Sequence, residues 1–156
     1  MTPNVDERLA SIVRALSEVI LPHLPPEASL AQEQVHLCIG HLQILRAQFD
    51  AVPAFEREEL DDAVAVARDL AGTVTGGEQT TAALAAMNAA VAAADGGDVR
   101  GQRAAVLEAV DALVKAVSAD GSSNAKVALP GIILSHEAPR TLKDRQWFAP
   151  FGFDTL

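Results

Sequence analysis

Apolar residues recur every three or four positions in five separate segments of the chain. The first segment shows the pattern most regularly, with apolar side chains at Val5, Leu9, Ile12, Leu16 and Val19. This spacing places them on one face of an α-helix, whereas a half-buried strand would need strict alternation. Breaks rich in proline or glycine separate the five segments. The sequence therefore predicts an all-α protein, folded as an antiparallel bundle of about five helices.

The predicted helix starts carry capping residues. Asn4 is followed three positions later by Glu7, and Ser29 by Gln32, which is the spacing of a capping box. Asp98 can cap the fifth helix in the same way. The first 121 residues are thus expected to form the helical bundle.

Residues 122–156 differ from the rest because Pro130, Gly131, Pro139 and Pro150 interrupt them. Proline lacks an amide donor and clashes with the preceding helical turn, so no long helix is expected here. We interpret the segment as an irregular tail of short helical pieces, docked on the bundle or on a partner subunit. The two parts are expected to form one domain overall.

The same segment concentrates four of the six aromatic side chains of the protein. They are Trp147, Phe148, Phe151 and Phe153. Rings of this kind bury roughly 150–250 Å² each, so leaving them in water is unfavourable. We expect them to form an interaction surface, either with the chain's own bundle or with a second subunit.

The formal net charge of -9 at pH 7 disfavours nucleic acids and anionic membranes as partners, because both bind basic surfaces, so neither is expected. A single cysteine, Cys38, cannot form an internal disulfide, and Met1 to Arg8 does not resemble a secretion signal. No apolar run reaches the roughly 20 residues of a membrane helix. An acidic, soluble, cytoplasmic protein is expected, and the Ala-rich, Lys-poor composition is typical of a bacterium with a GC-rich genome.

Helix 2 holds the densest set of reactive side chains, including His36 in the run HLCIG that ends at Gly40. This run resembles the phosphoacceptor segment of histidine phosphotransfer domains, in which a His precedes a Gly by four positions. The resemblance covers about five residues and implies that His36 would accept a phosphoryl group. It departs from the family at Ile39, where the family usually has a Lys.

Glu33 and His36 also form an E-x-x-H pair, which places a carboxylate and an imidazole on one helix face. Ferritin-like bundles present metal ligands in this way, but they need a second such pair, and the sequence has none. The pair is a candidate metal site only if other carboxylates face it.

Structural interpretations compete with both site hypotheses. Gly40 beside His36 could permit a close helix crossing, and Cys38, on the apolar stripe, is expected to be buried. His41 is expected to contribute to packing. The acidic residues 56–62 are expected to form a solvated first helical turn.

Taken together, these features favour a non-catalytic helical-bundle interaction or accessory protein that forms a homodimer or binds another protein. No motif points to a cofactor, and an enzyme is the less favoured class. The alternatives are a phosphotransfer domain that uses His36 and a metal-binding or small-ligand-binding bundle that uses Glu33 and His36.

Overall fold

The protein is described by a computed structural model that covers residues 4–152. Within these residues the fold is all-α, as predicted, with six α-helices and no strand. The α-helices are α1 (Val5–Arg14), α2 (Ser29–Gln48), α3 (Val52–Thr73), α4 (Glu78–Ala92), α5 (Val99–Asp120) and α6 (Ser123–Phe148). A π-helical segment, Ala15–Ile20, and a 3-10 turn, Leu21–His23, follow α1, and a second 3-10 turn, Ala149–Phe151, follows α6.

The capping residues account for the start of α1 but not for that of α2. The Asn4 side chain accepts a hydrogen bond from the Glu7 amide at 2.8 Å, and the Glu7 carboxylate accepts one from the Asn4 amide at 2.9 Å. The predicted capping box is therefore present. Helix α2 begins at Ser29 as expected, but no side chain caps it, and the Gln32 side-chain amide instead donates to the Pro25 carbonyl at 3.0 Å.

The proline-rich segment after α1 ends the helix in stages. The chain first widens into the π-helical segment and then tightens into the 3-10 turn that contains Pro22, before Leu24 becomes extended. A π-helical turn holds more residues than an α-helical turn, so it rotates later side chains away from a seven-residue repeat. Val19, the last residue of the predicted stripe, is 59% exposed, but Val5 and Ile12, which precede the π-helical segment, are exposed as well.

The chain divides into two compact units, an N-terminal unit up to Val52 and a C-terminal unit from Pro53 onward. In the C-terminal unit, the largest fully buried side chains come from α3, α4 and α5 and include Leu70, Met87 and Leu113. In the N-terminal unit, none of residues 4–52 is buried.

Helix α6 corrects the prediction of an irregular tail. It runs without a break through Pro130 and Pro139. An interior proline costs about 3 kcal/mol, so tertiary contacts must offset this loss. Ala125 and Leu129 are buried in the core before the first proline, and ion pairs described below hold the helix after the second. The prolines are visible in the sequence, but the contacts that offset them form only in the folded chain.

Within residues 4–152, no helix is both long enough and apolar enough to cross a membrane.

Candidate functional site

Helices α1 and α2 form a helical hairpin. The Arg46 guanidinium, in the last turn of α2, donates to both carboxylate oxygens of Asp6 in the first turn of α1, at 2.8 and 3.1 Å. The hydrogen bond from Arg46 lowers the pKa of Asp6 below its ordinary value. The pair joins the start of α1 to the end of α2.

Most of the exposed large apolar side chains of the described chain lie on this hairpin. We call these eight residues the hairpin surface: Val5, Ile12, Val19, Ile20, Leu30, Leu37, Leu45 and Phe49. Their exposed fractions lie between 42% and 68%. An open groove of about 350 Å³ lies between the start of α1 and the end of α2, and Val5, Leu9 and Phe49 form part of its lining. Apolar side chains clustered in this way are typical of a binding surface.

His36, the predicted phosphoacceptor, is exposed on α2. Its Nδ1 atom lies 2.9 Å from the Gln32 carbonyl oxygen. Because a carbonyl oxygen can only accept, Nδ1 carries the proton, and Nε2 of the neutral ring keeps its lone pair. A methyl group added at Gly40 would meet no atom within 4 Å. The predicted close helix crossing at Gly40 is therefore absent, and the space beside the ring is open.

The candidate metal pair finds no third ligand among the described residues. Glu33 and His36 are both exposed on α2. Within residues 4–152, no group of three or more His, Cys, Asp or Glu side chains could hold a metal ion. Two ligands on an exposed helix face leave most of the coordination sphere to water, so the arrangement offers little to select a metal.

The interpretation of Cys38 as a buried side chain is wrong, because its thiol is exposed. The partly buried apolar residues of α2 are Val35, Ile39, Leu42 and Ile44. The first three lie on one face at spacings of three and four, which indicates that α1 covers this face and leaves the Cys38 side open. His41 is exposed as well.

The aromatic residues near the C-terminus differ in their surroundings. Trp147 stacks on Phe55 of α3, with ring centroids 4.3 Å apart and an interplanar angle of 26°. Phe148 remains 44% exposed, and Phe151 is half-buried. Phe153 lies outside the described residues. Trp147 thus takes part in an intramolecular contact with a ring that the sequence did not single out.

A buried carboxylate, which sequence reasoning placed in a solvated helical turn, lies at the meeting point of α3, α5 and α6. Only 3% of Glu59 is exposed. Its Oε2 atom lies 2.7 Å from Arg103 of α5 and 3.5 Å from Arg140 of α6, and its Oε1 atom lies 2.7 Å from Lys143 of α6. Three cations therefore surround one carboxylate.

The contact between Glu59 and Lys143 is an ion pair without the alignment of a hydrogen bond, since Glu59 Oε1 is shielded from solvent and lacks a hydrogen-bond donor of good geometry. Lys143 also pairs with Asp62 and lies 5.3 Å from the centroid of the Phe55 ring. Burial opposes the charged form of Lys143, but the hydrogen bond to Asp62 and the nearby carboxylates outweigh it and raise the pKa of the ammonium group.

One signal in the sequence could have revealed this cluster. Glu59 and Asp62 are three positions apart in α3, and Arg140 and Lys143 have the same spacing in α6. Residues three apart share a helix face, so the two pairs form complementary charged patches. The cluster explains why α6 continues beyond Pro139, because its ion pairs attach that part of the helix to α3 and α5.

No protein-family model matches the chain, and neither a curated protein sequence nor a solved structure matches it.

Proposed function

We propose that this chain is a non-catalytic helical interaction protein whose binding surface lies on its N-terminal unit. The observation that supports the proposal is the α1–α2 hairpin, in which none of residues 4–52 is buried. Antiparallel packing of the helices into a bundle, and self-association of the chain, belong to the same proposal.

The physical reason is the balance between ordering and burial. Fixing the backbone of one residue costs about 1–2 kcal/mol, and burial of apolar surface is the main term that offsets this cost. Units of fewer than about 60 residues are marginal even with a core. The hairpin has helix caps and an exposed ion pair but no buried side chain, so a partner that covers its apolar surface would stabilise it.

The buried ionic cluster in the C-terminal unit also favours a structural rather than a catalytic role. The Glu59 carboxylate is surrounded by cations from two other helices, and the cavity beside it is lined in part by Arg103 and Arg140, which already pair with Glu59. A carboxylate held in this way stabilises the packing of three helices. Both of its oxygens lie against cations of the same chain.

Cross-linking in the native cells would test the proposal. The double variant Leu37→Gln, Leu45→Gln reduces the apolar character of the hairpin surface, and Val127→Gln, Leu134→Gln makes the same change at exposed positions of α6. We expect cross-linked complexes, formed with the chain itself or with another protein, to be lost in the hairpin variant only. Equal recovery from both variants, or no complex with the wild type, would contradict the proposal.

Phosphotransfer through His36 is the second candidate, favoured by the exposed ring, the accessible Nε2 atom and the open space at Gly40. Helix α2 has no Lys or Arg before Arg46, so no cation of this helix lies close to His36 to stabilise a phosphoryl group. We therefore expect incubation with acetyl phosphate to leave the protein unmodified. Acid-labile phosphate that is lost in His36→Gln and kept in His41→Gln would establish phosphotransfer instead.

A further inference from the structure

We infer that the hairpin surface is covered by a second copy of this chain, in a twofold pairing in which the two α2 helices run antiparallel. This inference rests on the proposed interaction function and names its partner. Three observations support it: the continuity of the surface, its area and the distribution of charge along α2.

The hairpin surface is continuous from α2 to α1. Leu30, Leu37 and Leu45 follow one another at intervals of seven and eight residues, close to two helical turns each, and so lie along one flank of α2. Phe49 lies one turn beyond Leu45 and shares the open groove with Val5 of α1. A partner helix laid along this flank would therefore contact both helices of the hairpin.

The area matches what a stable dimer needs. Eight large apolar side chains are each about half exposed. Together they present on the order of 700 Å² of accessible surface, which is close to the roughly 800 Å² that each partner contributes to a standard interface.

The charge pattern of α2 suits pairing with itself. Residues 34–45 contain no Asp, Glu, Lys or Arg, so two such stretches can meet without like charges. An antiparallel pairing centred on this uncharged stretch brings the Gln34 end of one helix near the Leu45 end of the other. It also places Leu30 opposite Phe49 of the second copy. Twofold symmetry repeats both contacts, as an isologous interface requires.

Charge exchange at Leu37 provides a sharp test. Leu37 lies within three residues of the centre of the pairing, so the two copies of this residue approach each other across the interface. Leu37→Glu and Leu37→Lys should each dimerise at least tenfold more weakly than the wild type in sedimentation equilibrium of the full chain, because like charges then meet. An equimolar mixture of the two variants should form a dimer again.

Two controls accompany this test. The same substitutions at Leu134, an exposed residue of α6, should leave dimerisation unchanged. The exposed thiol of Cys38, next to Leu37, should react more slowly with a thiol reagent in the dimer than in either charged variant. Restored association in the mixture also shows that both variants are folded.

Three outcomes would overturn the inference. The first is a wild-type chain that stays monomeric up to about 100 µM, a concentration at which even weak dimers with micromolar Kd would form. The second is a dimer that both Leu37 variants leave intact. The third is a mixture of the two variants that stays monomeric. If a monomeric wild type loses a different protein partner on substitution of Leu37, self-association fails while the proposed interaction function stands.

Discussion

The two units of this chain contain amphipathic helices of similar kind, yet only one unit closes a core. In the C-terminal unit, Leu70, Met87 and Leu113 are fully buried, and even a carboxylate, Glu59, is withdrawn from water. In the N-terminal unit, the capping box and the Asp6–Arg46 pair define the helices, but no described side chain is buried. Two helices alone cannot enclose each other's apolar faces. The number of helices packed around an apolar face therefore decides whether its side chains are buried in a core or stay exposed at a surface.

The largest expected effect comes from truncating the same residue type in each unit. Leu70→Ala removes a fully buried side chain and should lower the free energy of unfolding by about 3 kcal/mol. Leu37→Ala removes one that is 47% exposed and should cost less than about 1 kcal/mol. Urea unfolding of dilute, monomeric protein measures both. Equal losses would mean that the N-terminal unit has a core after all.

The next effect concerns the buried carboxylate. Glu59→Gln removes the negative charge that Arg103, Arg140 and Lys143 share. This change should destabilise the C-terminal unit by about 3 kcal/mol. The value is near the lower limit for a broken buried ion pair, because the cations keep some contact with water. Glu58→Gln changes the neighbouring, exposed residue and should have almost no effect in thermal unfolding. Similar melting temperatures for the two variants would show that the cluster contributes little.

A smaller effect is expected for the ring contact between α3 and the end of α6. A double-mutant cycle with Phe55→Leu and Trp147→Leu should give a coupling energy of about 1 kcal/mol, typical of stacked aromatic pairs. A cycle that pairs Phe55→Leu with Phe148→Leu serves as the control and should give a value near zero. Loss of dimerisation in Trp147→Leu would point to exchange of this segment between subunits.

The smallest effect depends on pH. Asp120 accepts hydrogen bonds from the Thr80 hydroxyl and from the amides of Gln79 and Thr80, and these bonds lower its pKa, with the hydroxyl as the largest contribution. A carboxyl whose pKa is lower in the folded state stabilises the fold above its unfolded pKa, and this stability is lost as the pH falls through the folded value.

Asp120→Asn should therefore lower the melting temperature at pH 7, and the difference from wild type should shrink below about pH 4. Asp111→Asn, at an exposed position paired only with Lys115, is the control and should change little at either pH. A difference between Asp120→Asn and wild type that stays constant from pH 7 to pH 3 would show that the charge of Asp120 is not the cause.

The sequence predicted the parts of the fold that depend on local signals. The all-α class follows from the apolar period, and the starts of α1 and α5 follow from Asn4 and Asp98, whose side chains cap these helices. The length of α6 could not be predicted in the same way, because Pro130 and Pro139 give a strong local signal that packing and ion pairs from distant residues override.

The candidate site shows the same limit. The helical period of α2 identifies apolar residues on most of its circumference, but it does not say which face α1 covers. The prediction of a buried Cys38 therefore fails, because the partly buried face of α2 is the one that carries Val35 and Ile39. Glu59 was misplaced for the opposite reason, since an acidic residue in a first turn is usually solvated, and its three cations lie 44 to 84 positions later in the sequence.

The polar contacts at the ends of the α4–α5 pair also bear on how the chain folds. Asp120 closes one end through Gln79 and Thr80, and the Gln102 side chain closes the other by accepting from the Gly96 amide at 2.8 Å. These contacts join residues at most 41 positions apart, whereas Arg140 and Lys143 of α6 pair with Glu59 across 81 and 84 positions, so less loop entropy is lost in forming the α4–α5 contacts. We therefore expect the α4–α5 pair to form early in folding and α6 to join it later. During synthesis, the first half of the C-terminal unit would then leave the ribosome before α6 is available to pack against it.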